Sequence, residues 1–310
     1  MRILVTGARG FLGSHLVPYL TDQGHEVSTP TSSQFDLTNL EATKECLVEA
    51  KPEVIYHLAG LSGGIGANLE APARYYFVNS LIITNMFEAA SKIDCKHLIV
   101  PMGGCSYPST AVSPIGEDQM WMGYPHGASS AYSSAKKMAI VAGEAYRKEG
   151  LSSTVVVPGN MYGEYDNYSL KDSHVIPALI RKLFEAKQND SSSISMWGSG
   201  TPLRDFVYAG DVAYVLSAIL GRKELHGPIN ISSGTSISIR GVTELAAKLL
   251  DYQGKIEWDS SKPDGQMVKI FDVTLLKEMG YSCSTELEEG LRKTIKWFQQ
   301  NYFELGRVRL

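Results

Sequence analysis

No two cysteines of this 310-residue chain stand at CxxC spacing; Cys46, Cys95, Cys105 and Cys283 lie far apart. A disulfide framework and a zinc site are therefore not expected, no metal is expected, and any cysteine that matters should matter as a thiol. No apolar stretch reaches the roughly 18 residues of a membrane-crossing helix. The opening "MRILVTGARG" runs straight into a strand and a glycine turn, so no signal peptide is expected and a cytoplasmic location is. Charge of one sign is scarce: the formal net charge is -4, spread without basic blocks, which argues against nucleic acid or an anionic membrane as partner. There is no internal repeat, and the one low-complexity patch, "NDSSS", reads as a surface loop. What is present is the 44% hydrophobic and 20% charged balance of a globular chain. Its length suits one globular unit with a smaller appended lobe, acting on small molecules.

Strands alternate with helices through the first half. "RILVTG" is a short apolar run ending in glycine, followed by the amphipathic "FLGSHLVPYLTDQG" and a second strand in "HEVSTP". "PEVIYHLAG", "KHLIVPM" and "STVVVPGNMYG" repeat the strand pattern around helical stretches at "RYYFVNSLIITNMFEAASK" and "AYSSAKKMAIVAGEAYRKEG". This alternation predicts an α/β fold, a doubly wound parallel sheet of Rossmann type. Beyond about residue 165, Gly-, Ser-, Asp- and Pro-rich segments separate short helices. The expected division is a dinucleotide-binding domain over 1–165 with a returning segment near 202–235, and a substrate-binding lobe over 166–201 and 236–310.

"TGARGFLG" places Gly7, Gly10 and Gly13, with Phe11 and Leu12 between them, after a strand and at the start of a helix. Such glycines let the backbone turn tightly and approach a pyrophosphate seated on the helix N-terminus; the alternative is a tight turn with no ligand. Asp36 and Leu37, and Leu58, Ala59 and Gly60 of "HLAG", end neighbouring strand regions and line the same crevice. The second strand ends in "STPTSSQ" with no acid before Asp36. Thr31, Ser32, Ser33 and Arg9 suit a phosphate, which favours NADP over NAD. "YSSAK" sets Tyr132 and Lys136 four residues apart, on one face of a helix. The expectation is that the ammonium lowers the tyrosine pKa from about 10 toward neutrality and makes it an acid/base; the alternative is a surface pair.

These motifs, with Asn79 in "VNSLIITNMFEAA" and with "PGNMYG", resemble the extended short-chain dehydrogenase/reductase family. "SHVIPALIRK", "WGSGTPLRDF" and "SKPDG" are similar to its GDP-L-fucose synthase branch, the GDP-4-keto-6-deoxymannose 3,5-epimerase/4-reductases. The resemblance covers nearly the whole chain. It implies that Cys105 and His174 exchange protons beside a ketone, that Tyr132 protonates the carbon-4 oxygen while NADPH delivers hydride, and that Lys136 bonds the cofactor ribose. It implies substrate contacts at Asn160, Lys182, Trp197, Arg204 and Asp264, a cofactor contact at Asn160, and a homodimer built on the helices near 74–92 and 132–148. Blander readings stand beside these: a buried filler for Cys105, a loop cap for His174, surface ion pairs for Lys182 and Asp264, core packing for Trp197, and a strand-end turn for Asn160. A related nucleotide-sugar 4-epimerase, 4-reductase or dehydrogenase is the alternative activity, and a non-catalytic dinucleotide sensor a further one. One position departs from the branch: a serine or threonine two residues before the cysteine is here Gly103. Ser106, next to Cys105 in an extended chain, should point the other way. Restoring a hydroxyl at 103 is expected to raise turnover.

Overall fold

The computed structural model describes residues 1–262 and 264–305. A six-stranded sheet carries the fold. It is built from β1 (Arg2–Thr6), β2 (Glu26–Ser28), β3 (Val54–His57), β4 (His97–Pro101), β5 (Ser153–Pro158) and the later strand Ile229–Ile231. The spatial order is Ile229–Ile231, β5, β4, β3, β1, β2, and every pairing is parallel. The chain leaves β1 for one edge and then crosses to build outward from its other side. The order thus reverses at the β1/β3 boundary, where α/β folds open a ligand crevice at the strand C-termini.

Helices cover both faces. On one lie α2 (Leu40–Ala50), α4 (Pro72–Ala90) and α5 (Ser130–Arg147); on the other lie α1 (Phe11–Asp22) and α7 (Ala209–Ala218). Periodicity explains the packing: α1 buries Leu12, Leu16 and Leu20, one per turn, and α4 buries Tyr75, Asn79, Ile82, Ile83 and Met86 along one stripe. A short helix, α3 (Ile65–Glu70), precedes α4.

A third apolar core lies between α6 (Val175–Gln188), α8 (Ile239–Leu250) and α10 (Leu287–Leu305), centred on Tyr168, Phe184, Val242 and Phe298. Two details differ from the sequence reading. "STVVVPGNMYG" is not one strand: Gly159 breaks it, and Asn160–Tyr162 leaves the main sheet to pair with Phe206–Tyr208. The stretch around α9 (Thr274–Glu278) does not stay with the lobe, because Phe271 packs into one core of the main sheet and Val273 and Leu276 into the other. Residues 306–310 of the expected lobe lie outside the described residues.

Candidate active site

At the end of β1 the chain turns through Gly7, whose φ is +68°. A Cβ there would stand 2.8 Å from the Ala59 nitrogen and 2.9 Å from the Leu58 carbonyl carbon, so only glycine lets the ends of β1 and β3 meet. The Ala59 N–H donates to Thr6 Oγ1 at 3.2 Å, and Thr6 Oγ1 lies 2.9 Å from His57 Nδ1. A Cβ on Gly13 would come within 2.6 Å of Ala8 Cα, which explains the third glycine as a close contact between helix α1 and the turn after β1. Helix α1 starts at Gly10 with no side chain capping it, so its first N–H groups face the crevice unpartnered by a cap. Leu12 is buried in the core and Phe11 lies edge-on to His15; only their backbone serves the turn. An uncapped helix start above a cradle kept clear of side chains fits a dinucleotide pyrophosphate.

At the adenosine end, Arg9 is exposed and forms no ion pair among the described residues. β2 ends at Ser28, and Thr31 Oγ1 sits 2.9 Å from Ser33 Oγ. Asp36 turns back on its own chain, accepting from Thr38 N–H at 2.9 Å and Thr38 Oγ1 at 2.7 Å, which holds its carboxyl below the usual range. The Leu37 carbonyl accepts from Asn85 Nδ2 at 3.0 Å. On the far side, Asn79 clamps Leu61 through its N–H and its carbonyl, at 3.2 and 3.0 Å, and so fixes the loop after Gly60. A Cβ on Gly60 would stand 3.7 Å from Lys136 Nζ.

Two of the four catalytic candidates, Cys105 and Tyr132, meet at Gly103, and no contact among the described residues joins His174 to them. The missing side chain of Gly103 would sit 3.1 Å from Cys105 Sγ, 3.3 Å from Tyr132 Cε1 and 3.5 Å from the Tyr132 hydroxyl. The thiol and the phenol therefore border one small space. The chain here is not extended: Gly104–Ser106 is a single 3₁₀ turn. Ser106 still points away from the site, but because the turn buries it and its Oγ donates to the Ser133 carbonyl at 3.4 Å.

Electrostatics correct one expectation. Burial, with Cys105 and Tyr75 adding to it, pushes the Tyr132 phenol up rather than toward neutrality. Burial also lowers Lys136, to about 8, with Cys105 opposing. Removing both side chains from water outweighs the charge of one ammonium. A protonated Tyr132 is the form that donates a proton. His174, the residue at the start of α6, makes no capping bond with its side chain. It is accessible, yet surrounding protein lowers its pKa, with the Asp172 carboxylate opposing.

On the lobe side, Arg204 is half-buried, donates from Nη1 to the Leu203 carbonyl at 2.8 Å, and has its pKa lowered by burial against the field of Asp264. Asp264 is not a surface ion pair: it accepts from Ser199 N–H at 2.7 Å and Ser199 Oγ at 2.8 Å. Trp197 is 69% exposed, so it is no core residue, and Lys262 Nζ lies 5.8 Å from its ring centroid. Asn160 Nδ2 donates to the Asp205 carbonyl at 2.9 Å, beside Arg204. Lys182 lies half-buried on α6, and no contact among the described residues joins it to Arg204 or Trp197.

Sequence reasoning missed Lys269. It pairs with Arg204 in the strand register Lys269↔Arg204. Burial lowers its pKa while the field of Cys105 opposes the shift, which puts the lysine within electrostatic reach of the thiol. The available signal was a lysine alone in the apolar run "MVKIF" next to "SKPDG".

With this geometry in view, the comparisons with known proteins are specific. Residues 3–232 match the NAD dependent epimerase/dehydratase family, and the chain belongs to that family. It is an NAD(P)-dependent epimerase/reductase. It is 36% identical over 301 residues to GDP-L-fucose synthase of Sinorhizobium fredii, covering 97% of this chain and 96% of that protein. It is 34% identical over 303 residues to Probable GDP-L-fucose synthase 1 of Oryza sativa subsp. japonica, covering 97% and 92%. Among solved structures it resembles a GDP-L-fucose synthetase from Naegleria fowleri bound to NADP, with a TM-score of 0.89, 26% identity, and coverage of 97% and 94%.

The lowered Lys136 sets a pH dependence. Its charged form is lost as pH rises through about 8, so kcat/KM for the reduced dinucleotide, which reports free-enzyme groups, is expected to fall above that pH. Lys136→Met should be slow and flat across the same range; a wild-type limb that persists unchanged in the variant would assign it elsewhere.

Proposed function

We propose that the protein is an NADPH-dependent enzyme that converts GDP-4-keto-6-deoxymannose to GDP-L-fucose. The observation that carries this reading is the shared space at Gly103, bordered by Cys105 Sγ and the Tyr132 hydroxyl, because the two half-reactions need a proton-transfer pair and a phenol at one sugar ring.

Cys105 removes the proton on a carbon next to the ketone, the electron pair passes to the carbonyl oxygen as an enolate, and His174 returns a proton from the opposite face. That transfer turns a Cys105 thiolate into the thiol and a His174 imidazolium into the neutral imidazole, the form its lowered pKa favours, so at the second carbon the roles reverse and the pair returns to its starting state. Lys269, within electrostatic reach of the sulfur, offsets negative charge there. Bound NADPH supplies the hydride for carbon 4. Tyr132, held protonated by burial, gives its proton to the carbon-4 oxygen, and Lys136 holds the cofactor ribose. Gly7, Gly10, Gly13, Leu58, Ala59 and Gly60 form the dinucleotide cradle, and Arg9, Thr31 and Ser33 favour the extra phosphate of NADP. Arg204 grips the sugar-nucleotide pyrophosphate, Trp197 packs on the nucleotide or sugar, and Asn160, Lys182 and Asp264 complete the substrate wall. Residues 1–165 carry the cofactor, and the lobe built on α6, α8 and α10 carries the sugar nucleotide, with Asn160 and Arg204 reaching it from outside that lobe.

The enzyme works in the cytoplasm as a homodimer. The outward faces of α4 and α5 support the assembly: Tyr76, Phe77, Met138 and Val141 are 53, 61, 43 and 46% exposed, apolar side chains suited to burial against a second copy.

The test is direct. With GDP-4-keto-6-deoxymannose the protein is expected to oxidise NADPH, release GDP-L-fucose, and bind NADPH at least several-fold tighter than NADH, an advantage that Arg9→Ala removes. Cofactor oxidation with a different sugar product would move the assignment to a 4-reductase, and no oxidation at all would leave a sensor.

A further inference from the structure

The Cys105 turn and the Tyr132 helix are tied by a reciprocal pair of serines. Ser133, one residue past Tyr132, donates from Oγ to the Cys105 carbonyl at 3.0 Å, while Ser106, one residue past Cys105, donates from Oγ to the Ser133 carbonyl at 3.4 Å. Both serines are 0% exposed. Ser133 Oγ also approaches Ser129 Oγ at 3.5 Å, a longer contact that leaves the Cys105 carbonyl as its better acceptor. The 3₁₀ turn uses the Gly103 and Gly104 carbonyls for its own N–H groups; the Cys105 carbonyl is the one that turns outward to the helix. The other side of the turn is anchored by the Tyr107 hydroxyl, which donates to Asn230 Oδ1 at 2.6 Å.

We infer that Ser133 is a positioning residue that sets where the Cys105 sulfur stands relative to the Tyr132 hydroxyl, and thereby couples the two half-reactions; this rests on the epimerase/reductase reading above. Ser133 touches neither reacting atom. It acts through the backbone of Cys105. Tyr132 keeps its place without Ser133, because helix α5 carries its backbone and the Tyr75 ring packs edge-on against its own, whereas a three-residue turn has few bonds of its own with which to fix a side chain. Loss of the Ser133 hydroxyl should therefore be felt at the sulfur and not at the phenol. Alanine is also the better helix former, so the substitution does not threaten α5.

The experiment compares wild type, Ser133→Ala and Ser133→Thr by three readouts: solvent deuterium incorporation beside the ketone, hydride transfer from NADPH to a pre-epimerised ketone, and the rate of Cys105 alkylation by iodoacetamide followed by peptide mass. In Ser133→Ala, deuterium incorporation is expected to fall about tenfold, as a misplacement well under 1 Å allows, while hydride transfer changes less than about twofold. Cys105 alkylation should change at least about threefold, and Ser133→Thr, which keeps the hydroxyl, should restore both. Equal loss of both half-reactions, or an alkylation rate indifferent to Ser133, overturns the inference. If wild type incorporates no deuterium while alkylation still follows the 133 hydroxyl, the proposed function falls and the positioning role stands.

Discussion

Cys105→Ala is expected to abolish solvent deuterium incorporation at the carbons flanking the ketone, a loss of about a hundred- to ten-thousandfold for removal of a positioned acid/base, while hydride transfer to a pre-epimerised ketone survives. Tyr132→Phe should give the mirror image, with exchange retained and reduction lost by a comparable factor. The division follows from the two groups facing one space from different elements: the sulfur from the turn Gly104–Ser106, the phenol from helix α5. Neither substitution enlarges a side chain, so neither crowds the site. Stopped-flow loss of NADPH absorbance and mass spectrometry of the recovered sugar nucleotide read the two steps separately. Equal loss of both in both variants would sink the assignment.

The second large effect sits at Gly103. Its backbone, φ −82° and ψ 145°, suits any residue, so the glycine is not there for its conformational freedom. The space is what restricts it: a Cβ would press on Cys105 Sγ at 3.1 Å and Tyr132 Cε1 at 3.3 Å, and both must yield by a few tenths of an ångström. Gly103→Ala carries that crowding with no compensation and is expected to lower turnover. Gly103→Ser carries the same crowding plus a hydroxyl aimed where the carbonyl oxygen gathers charge, and should exceed the alanine variant by about ten- to a thousandfold. This pair isolates the hydroxyl, which the single substitution anticipated from the sequence does not. Equal rates for alanine and serine, with cofactor binding intact, would mean that no oxyanion lies near position 103, and fucose synthesis would then give way to a related epimerase or dehydrogenase.

The glycine spacing, the strand–helix alternation and YxxxK were readable because each is local: one turn, one period, one helix face. Legibility stopped where the answer depended on distant partners. Gly159 divides "STVVVPGNMYG" because Asn160–Tyr162 finds a partner in Phe206–Tyr208, forty-odd residues on. Lys269 comes within the field of Cys105 through the pairing of its strand with Leu203–Arg204. A spacing rule carries charge but not burial, so the shift it predicts for the Tyr132 phenol runs opposite to the one burial imposes. The alternative reading of Asp264 as a surface ion pair fails for the same reason, since its carboxylate accepts from Ser199 across the fold.

The path of the chain between its cores bears on how substrate gets in. After Tyr162 the polypeptide builds part of the lobe, returns for α7 and the strand Ile229–Ile231, leaves for α8, returns with Phe271 and Leu276, and departs again into α10. Asp205 rivets these crossings, taking hydrogen bonds from Ser233, Gly234 and Phe271. A jaw that closes on its prey needs a hinge at one or two strands of chain; here every crossing would have to bend together. Splitting the chain at any one crossing would leave both the sheet and the lobe without segments that pack in their cores.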